Sequence, residues 1–430
     1  MQNSSVCIVG AGPSGLTTLK TLREAGIENV TCFEASDQIG GNWVFREKGG
    51  HGSVYETTHI ISSKHLSEYS DFPMPADFPF FPSHTQVLKY HQDYAANFGI
   101  SNAIDLNTNV ISAEQADNGS WQVIIAGPDG KKALKFDHLI VCSGHHWDPC
   151  TPDYPGKFEG KMLHAHDYRK AAPYKNKQVL IVGAGNSACD IACAVAPVAT
   201  STRISMRSGQ YIFPKMLFGR PVDKMFDKVR SLPKWAIRAV SHLALKMTIG
   251  PYGRYGLPTP KSGILSMHPT LNSEIFGYLT HGILEIRPGI KKFEAENVVF
   301  SDGTREQFDT IIWATGYRTS FPFLPEGLLD FDPNVSLPLY MQIVPANVAN
   351  LFFIGLLQPW GCIWKLSEIQ ARYVAGLIKK TNKLPKNIKH RIEQDVVRRK
   401  RQFPGGTRHL AEVHQYDYMK QMQELIDREA

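Results

Sequence analysis

The sequence predicts an α/β fold with two Rossmann-like dinucleotide-binding units in one chain of 430 residues. Two glycine-rich turns are the basis of this prediction: GAGPSG at Gly10–Gly15 follows the apolar run Val6–Val9, and GAGNSA at Gly183–Ala188 follows Val179–Val182. A helical pattern comes after each turn, and this strand–turn–helix context distinguishes a dinucleotide-binding loop from an ordinary glycine turn. A chain of this length also favours two domains.

The first unit consists of a strand at 5–9, the glycine turn, a helix at 14–25 and a strand at 29–34. Gly10 allows the tight turn, Gly12 lets the backbone approach a pyrophosphate, and Gly15 lets the helix pack closely on the strand. Glu34 ends the second strand, where its carboxylate can accept hydrogen bonds from both hydroxyls of a ribose. That requires an unphosphorylated 2′-hydroxyl, as in FAD or NAD. The alternative is that Glu34 is a solvated strand end.

The second unit extends from about Gln178 to Arg207, and its second strand lies in TRISMRS. Arg207 stands where an acid would suit NAD, and a guanidinium fits a 2′-phosphate through its charge and its two-pronged geometry. The second cofactor is therefore expected to be NADPH rather than NADH, unless Arg207 is an ordinary exposed arginine. Lys215 is a weaker candidate for the same phosphate.

The segments outside these units carry weaker signals. Asp71–Pro82 is rich in proline and aromatic residues, so it is either an ordered loop near a site or a surface connector. Trp121–Ala126 and Leu134–Ser143 have strand patterns, and Trp235–Ile249 is a helix candidate. That helix belongs to a stretch at about 213–267 without nucleotide-binding signals, which is a packed lid, a dimer contact or a membrane-resting amphipathic helix. The basic segment Lys386–Arg401 is expected to be a solvated helix face.

Composition excludes several classes of protein. The chain is 43% hydrophobic and 20% charged, as in ordinary globular proteins, and its net charge of +7 is too mild to indicate a nucleic-acid partner. The seven cysteines include no CxxC pair, and Cys7, Cys32 and Cys142 fall in apolar runs as buried thiols. No metal cluster, catalytic triad or carboxylate pair is evident. Without a signal-peptide pattern or an apolar run of about 18 residues, a cytoplasmic protein with no transmembrane segment is expected.

A further motif lies between the two loops, where FEGKMLHAHDY places Phe158, Gly160, His164 and Tyr168 in the pattern FxGxxxHxxxY. Together with five other motifs it resembles the flavin-containing monooxygenase family over nearly the whole chain. Those motifs are GGNW at 40–43, SDFPMP at 70–75, HPTLN at 268–272, ATGY at 314–317 and FIGLLQPWG…SEIQAR at 353–372. Baeyer–Villiger relatives usually end the first motif with Trp and then Pro or Asp, so Tyr168 followed by Arg169 favours oxygenation of a heteroatom.

The resemblance implies a two-dinucleotide-binding flavoprotein. A discontinuous FAD domain would comprise 1–150 and 301–430, with an NADPH domain inserted at 151–300. NADPH would reduce FAD, and the reduced flavin would capture O2 as a C4a-(hydro)peroxide that oxygenates a tertiary amine or a sulfide. Alternatives are an NADPH oxidase that releases hydrogen peroxide, a Baeyer–Villiger or indole-pyruvate type of oxygenase, and a redox-sensing flavoprotein. The chain ends at Ala430 without the hydrophobic anchor of animal members, so a soluble protein is expected, and a homodimer is left open.

The resemblance also implies site residues. FAD contacts are expected from Gly10, Ala11, Gly12, Pro13, Ser14, Gly15, Glu34, Asn42 and Trp43, and contacts to NADPH from Gly183, Gly185, Asn186, Ser187, Asp190 and Arg207. Asp190 lies one turn into a helix whose N-terminus faces phosphate, so it is expected to bond backbone or ribose instead. His164 is expected to position the NADPH domain rather than to act in acid–base catalysis. Thr315 and Gly316 of ATGY are expected to form a hinge.

One position departs from the family pattern. Family members typically carry an Asn that contacts the oxygen adduct of the flavin and NADP, and HIISSK places Ile61 there. The candidate environment of the adduct is therefore Ile61, Ser62 and Ser63. Because Ile cannot donate a hydrogen bond, either Ser62 or Ser63 substitutes for the Asn, or the adduct is held less well and leaks hydrogen peroxide. An altered substrate preference is equally open.

Overall fold

The computed structural model describes residues 4–230, 232–261, 263–266, 268–329, 331–332, 337–403 and 411–427, without the side chains of Lys228 and Lys234. Met267, at the end of the predicted insertion, and the last three residues of the predicted FAD domain lie outside the described residues. The α-helices are Pro13–Glu24, Lys64–Ser67, His84–Asn97, Asn186–Val195, Val222–Val229, Lys234–Thr248, Ile275–Thr280, Ile363–Ile378, Ile388–Gln402 and Gln415–Asp427.

The first glycine loop belongs to a five-stranded parallel sheet. Its strands, in spatial order, are Leu351–Phe353, His138–Val141, Val6–Val9, Val30–Phe33 and Ile104–Asp105. All four residues of the central strand Val6–Val9 are buried: Val6 and Ile8 pack with helices Pro13–Glu24 and Ile363–Ile378, whereas Cys7 and Val9 pack with residues of the strand Trp121–Gly127. Helices Pro13–Glu24 and Ile363–Ile378 pack against each other beside this sheet. Residues from the two ends of the chain thus share one core, and the discontinuous domain division stays a prediction.

The second glycine loop belongs to a second five-stranded parallel sheet. Its strands, in spatial order, are Leu284–Arg287, Ser201–Ser205, Gln178–Val182, Thr310–Trp313 and Lys161–His164. Both glycine turns therefore start at the carboxyl end of a central parallel strand, which is where open α/β sheets bind ligands. The sheet continues past the predicted boundary at residue 300, because Val179–Val182 pairs with Thr310–Trp313.

Two short strands connect the sheets. Asp148–Pro149 pairs antiparallel with Tyr317–Arg318. The segment that leads from the first sheet to the second therefore lies beside the segment that leads back. The Thr315 hydroxyl donates to the Cys150 carbonyl at 2.5 Å, and Gly316 has a φ of +83°, a conformation that favours glycine. The ATGY segment therefore lies at the crossing point between the sheets, and its function as a hinge stays a prediction.

The predicted strand Leu134–Ser143 is wrong as a single element. Gly130–Phe136 pairs with Trp121–Gly127 in an antiparallel sheet, whereas His138–Val141 joins the first parallel sheet. The division falls at Asp137, whose carboxylate accepts a hydrogen bond of 2.8 Å from the Ser5 amide. The remaining strands are Asn109–Gln115, Ile212–Phe213, Met216–Leu217, Arg220–Pro221, Thr270–Leu271, Ile290–Glu294, Asn297–Phe300, Arg305–Gln307, Leu339–Tyr340, Val344–Pro345, Gln358–Trp360 and Glu412–His414.

The predicted helical insertion contains helices Val222–Val229 and Lys234–Thr248, so the helix expected at Trp235–Ile249 is confirmed to within one residue at each end. The second helix buries Ser241 and Leu245 but leaves Trp235 74% exposed. The basic tail forms helix Ile388–Gln402, and its solvated face is confirmed only in part.

Two residues of this tail helix, Ile392 and Arg399, are buried, and Arg399 pairs with Asp395 at 3.2 Å. None of the seven cysteines, all of which lie in described residues, forms a disulfide, and Cys7, Cys32 and Cys142 are buried as predicted. Among the described residues no helix combines the length and the apolar character that a membrane span requires.

Candidate active site

A cavity of about 1530 Å³ is lined by residues of both glycine loops. Its wall also includes the Ile61 segment, part of the insertion and the start of the C-terminal helix Gln415–Asp427. Pockets for one drug-sized ligand have volumes of roughly 300–1,000 Å³, so this cavity has room for more than one small molecule.

In the first glycine loop, packing within the protein requires glycine at one position and leaves open space at another. A Cβ on Gly15 would lie 1.9 Å from the Gly10 carbonyl oxygen, so residue 15 must be glycine for the turn to pack. A Cβ on Gly12 would meet nothing closer than Gly41 Cα at 3.5 Å, so the protein itself does not require glycine there. Helix Pro13–Glu24 starts with Pro at its first turn and no side-chain cap, which leaves backbone amides facing the cavity for an anion.

Glu34 is buried in the cavity wall, which excludes the alternative of a solvated strand end. One carboxylate oxygen accepts from the Ala11 amide at 2.7 Å and the other from the Ser36 amide at 2.9 Å. The carboxylate is therefore oriented toward the space above the glycine turn. Its role toward a ribose stays a prediction.

Asn42 and the tryptophans lie on the same side of the cavity. The Asn42 side-chain oxygen accepts from the Ser53 amide at 2.7 Å, which fixes the orientation of the side chain. Trp43 meets Trp364 edge to face, with ring centroids 5.8 Å apart, and the Trp364 ring lies 4.5 Å from that of the buried His91. Trp43 and Trp364 therefore line the cavity and also pack against the hydrophobic core around the first sheet.

The second loop contributes Gly185, Asn186 and Ser187 to the cavity wall. The Asn186 side-chain oxygen accepts from the Leu271 amide at 2.8 Å. Helix Asn186–Val195 has no side-chain cap, and a Cβ on Gly185 would meet no atom of a described residue within 4 Å. Open glycine positions and uncapped helix starts in both loops fit two dinucleotides with pyrophosphate groups, which are FAD and a nicotinamide dinucleotide.

Asp190 hydrogen-bonds side chains in place of the expected backbone partner, and the expected contact to a ribose stays a prediction. Its carboxylate accepts hydrogen bonds from the Asn272 side-chain amide at 2.6 Å and from the Tyr55 hydroxyl at 3.4 Å, not from backbone groups. Burial raises the pKa of Asp190, while the Lys215 charge and these two hydrogen bonds oppose the increase. Asn272 ends the HPTLN motif, so the sequence contained a signal for this residue but no indication of its partner.

Arg207 is not part of the cavity wall. It follows strand Ser201–Ser205, its side chain is exposed, and the part of the chain that the structure describes provides no ion pair for it. The Lys215 ammonium lies 5.6 Å from the Phe81 ring centroid, and its charge acts on Asp190. An exposed guanidinium beyond the end of this strand is still open to a 2′-phosphate, so its role stays a prediction.

His164 lies at the junction of the two sheets. It ends the edge strand Lys161–His164, its Nδ1 accepts from the His166 amide at 3.0 Å, and its ring meets Tyr317 at 5.2 Å. Burial lowers the pKa of His164 to about 4, so its imidazole is neutral near pH 7. A neutral, packed imidazole at this place favours a positioning role over acid–base catalysis.

The Ile61 segment forms part of the cavity wall, and the structure distinguishes its two serines. Ser62 lines the cavity, and its hydroxyl donates to the Gly361 carbonyl at 3.2 Å. Ser63 is fully buried behind the wall, and its backbone amide donates to the Asp223 carboxylate at 2.5 Å. Of the two residues considered as substitutes for the missing Asn, Ser62 is therefore the one within reach of a ligand.

Several wall residues were not identified from the sequence. Asp223 and Arg230 come from the insertion, and Tyr416 comes from the C-terminal helix. Charged and aromatic residues at helix ends are common, so no local signal marked these three. The described residues include no group of three or more His, Cys, Asp or Glu that could hold a metal ion.

Comparisons with known proteins agree with this geometry. The family described as "Flavin-binding monooxygenase-like" matches residues 3–428. Flavin-containing monooxygenase 5 of Rattus norvegicus is 33% identical, over 99% of this chain and 83% of the relative. Dimethylaniline monooxygenase [N-oxide-forming] 2 of the same species is 34% identical, over 88% of this chain and 74% of the relative.

Solved structures support the fold. S-allyl-L-cysteine S-oxygenase from Allium sativum has a TM-score of 0.75 at 24% identity, covering 99% of this chain and 88% of its own. NADP+-bound cyclohexanone monooxygenase from Rhodococcus sp. Phi1 has a TM-score of 0.73 at 16% identity, covering 99% and 97%. At these identities the likeness establishes the architecture alone.

Two parallel sheets carry dinucleotide-binding loops at one cavity, and the family model matches almost the entire chain. These two observations together determine the class of this protein. The expected α/β fold with two Rossmann-like domains is confirmed, and FAD and NADPH are the cofactors of such an enzyme. The chain belongs to the flavin-binding monooxygenase-like family and is a flavin-containing monooxygenase.

Proposed function

We propose that this enzyme oxygenates a nucleophilic nitrogen or sulfur atom of a small molecule, with a tertiary amine or a sulfide as the simplest substrates. One oxygen atom of O2 enters the substrate and the other leaves as water, while NADPH and a proton supply the two electrons and two protons. The observation that carries this proposal is a single cavity reached by both dinucleotide loops. Relatives named for N-oxide formation and for S-oxygenation support the substrate class.

FAD, when bound, would accept the hydride and react with O2, so the chain's own residues have to bind, orient and exclude water. The uncapped helix starts at Pro13 and Asn186 would hold the two pyrophosphates, and Glu34 would accept from the hydroxyls of the FAD ribose. Arg207 would contact the 2′-phosphate of NADPH from outside the cavity wall.

Part of the cavity wall is apolar, which suits a reaction carried by the flavin. Ile61, Trp43, Trp360, Trp364 and Phe226 present apolar surface toward the space between the two loops. An apolar enclosure keeps water from the reactive flavin and so limits the release of hydrogen peroxide.

Isotope labelling tests the proposal. The FAD-loaded enzyme is supplied with NADPH, 18O2 and either dimethylaniline or methyl phenyl sulfide, and the product is analysed by mass spectrometry. We expect one labelled oxygen per N-oxide or sulfoxide, with product formed in proportion to NADPH consumed. In a parallel reaction supplied with a ketone, labelled ester would favour a Baeyer–Villiger enzyme, and negligible NADPH turnover with every substrate would favour a redox sensor.

A second candidate is an NADPH oxidase, and Ile61 in the cavity wall is the observation that favours it. In that reaction NADPH, a proton and O2 yield NADP+ and hydrogen peroxide, with no change to the substrate. The two candidates differ in one measured ratio, because an oxidase gives one peroxide per NADPH whether or not an amine or sulfide is present.

The domain division, the location and the assembly are also proposals. We propose an FAD domain of residues 1–150 and about 315–430, since the pairing of Thr310–Trp313 supports a C-terminal limit of the NADPH domain at ATGY rather than at 300. A cytoplasmic location and a homodimer are proposed too. Subcellular fractionation tests the location, and sedimentation equilibrium tests the assembly, where a monomer at micromolar concentration would contradict the homodimer.

A further inference from the structure

We propose that Asp223 is a positioning residue that fastens the helical insertion to the Ile61–Ser63 segment and thereby keeps NADPH oxidation coupled to oxygenation. This inference rests on the proposed function. In this inference the insertion acts as a strap, meaning a segment that crosses the cavity and is held at its far side. Asp223 holds it there through the Ser63 amide, next to Ile61 in the cavity wall.

The attachment is a charge-assisted hydrogen bond between residues 160 positions apart. One carboxylate oxygen of Asp223 accepts from the Ser63 amide at 2.5 Å, and the other accepts from the Lys224 amide at 2.7 Å. Asp223 lies in the first turn of helix Val222–Val229, where a negative charge is favoured by the helix dipole. Both the orientation and the charge of this side chain therefore suit the contact.

Hydrogen bonds to other parts of the chain hold the backbone on both sides of the Ile61–Ser63 segment. Its neighbours are held by backbone hydrogen bonds from Ile60 to Pro82 at 3.0 Å and from Lys64 to Phe80 at 2.8 Å. The Ser63 amide lies between these two points, and its partner is the Asp223 side chain. Because Ser63 is fully buried, loss of that partner would leave an unsatisfied donor two residues from Ile61.

A second attachment holds the same helix to the C-terminal part of the chain. The Tyr416 hydroxyl donates to the Asp227 carboxylate, one turn after Asp223, and the Arg230 guanidinium lies 4.3 Å from the Tyr416 ring centroid. All four residues line the cavity. Helix Val222–Val229 therefore contacts two separate segments of the half that carries the first glycine loop. These are the Ile61–Ser63 segment and the C-terminal helix Gln415–Asp427.

The base of the insertion belongs to the other half of the molecule. Ile212–Phe213 pairs with Thr270–Leu271, and Asn272 binds Asp190 of the NADPH-side helix. The insertion thus starts from the half that carries the second glycine loop and extends along the cavity. It contacts the half that carries the first glycine loop through Asp223 and Asp227. A loosened attachment at Asp223 would open the wall beside Ile61 to water without altering either glycine loop.

The test compares Asp223→Ala and Asp223→Asn with the wild-type holoenzyme, at saturating NADPH and methyl phenyl sulfide. We expect hydrogen peroxide released per NADPH to increase about fivefold for Asp223→Ala and less for Asp223→Asn, which keeps an acceptor oxygen but loses the charge. FAD content and the rate of anaerobic flavin reduction by NADPH should stay within about twofold, because neither loop is changed. Asp153→Asn, an exposed carboxylate elsewhere, is the matched control.

A second measurement does not depend on activity. Hydrogen–deuterium exchange of the peptide covering residues 58–68 should become about tenfold faster in Asp223→Ala, in apoprotein and holoprotein alike, because the Ser63 amide loses its acceptor. If Asp223→Ala does not fold, Asp223→Asn provides both readouts, and Tyr416→Phe, which removes the second attachment, provides the peroxide ratio alone.

The outcomes separate this inference from the proposed function. Faster exchange with an unchanged peroxide ratio would overturn the positioning role, since the contact would then serve stability alone. Unchanged exchange would overturn the contact itself. A wild-type enzyme that forms no sulfoxide or N-oxide would overturn the proposed function, and the coupling role with it.

Discussion

The side-chain amide of Asn272 donates a hydrogen bond of 2.6 Å to the carboxylate of Asp190, 82 residues earlier in the chain. The other end of the Asn272 side chain accepts from the Ile275 amide at 2.8 Å, so one residue serves a buried acid and the start of a helix. This arrangement joins the NADPH-side helix to the base of the insertion. It explains why an acid is tolerated next to a phosphate-binding helix start.

Asn272→Ala should lower the free energy of unfolding by about 2–3 kcal/mol, because it removes a charge-assisted bond to a buried carboxylate and the acceptor of the Ile275 amide. Urea unfolding followed by circular dichroism measures the change. Asn387→Ala is the matched control, since Asn387 starts a helix without a side-chain cap and is exposed. A loss in Asn272→Ala no greater than in the control would contradict this account.

Gly15→Ala and Gly185→Ala should have opposite consequences. Gly15→Ala places a Cβ 1.9 Å from a backbone oxygen, so we expect a marked fall in melting temperature. Gly185→Ala meets nothing within 4 Å and should melt like wild type, but its methyl group faces the cavity and should raise the KM for NADPH about tenfold. Differential scanning fluorimetry and steady-state kinetics measure the two effects. A stable Gly15→Ala protein would refute the packing argument.

Arg207→Gln should lower kcat/KM for NADPH by about 10- to 100-fold and leave kcat/KM for NADH nearly unchanged, because only NADPH carries the 2′-phosphate. The ratio of the two values, measured by NAD(P)H oxidation, reports the effect without interference from stability. Arg305→Gln, another exposed arginine, serves as the control. Equal losses with both cofactors would show that Arg207 does not recognise the phosphate.

Ile61→Asn should decrease the peroxide released per NADPH, because it supplies a hydrogen-bond donor at the cavity wall where the wild-type side chain has none. The measurement is peroxide and product yield at saturating sulfide. Ile61→Leu, which is also unable to donate, should behave like wild type. If the Leu and Asn variants shift the ratio equally, side-chain volume rather than hydrogen bonding is responsible.

Acid should destabilise the fold through His91. His91 is fully buried against Trp364, and burial lowers its pKa to about 3 from the usual 6.5. Below pH 6.5 the unfolded chain takes up a proton that the folded chain does not, so stability falls as pH decreases toward the folded pKa. At pH 5 the loss is about 2 kcal/mol relative to pH 7.

His91→Leu removes this titration and should reduce the difference in unfolding free energy between pH 7 and pH 5 by that amount. The exposed His390→Leu should leave the difference as in wild type. Parallel pH profiles for wild type and His91→Leu would contradict the assignment.

Local sequence determined the parts of this protein in which neighbours along the chain are also neighbours in space. The two glycine turns, the strands before them, the helices after them and Glu34 about twenty residues on were all predictable. Their periodicity and the demands of a tight turn act over a few residues. The family motifs extended that prediction to the cofactors and to the enzyme class.

Only the tertiary structure decided which distant residues meet. Nothing local indicates that Asp223 binds the Ser63 amide or that Asn272 binds Asp190, because a hydrogen bond across 160 or 82 residues leaves no periodic pattern. The division of Leu134–Ser143 between two sheets had the same origin, since both halves have the alternation of a strand and only their partners differ. Sequence thus specified the two dinucleotide loops, while packing specified the cavity between them and the strap that crosses it.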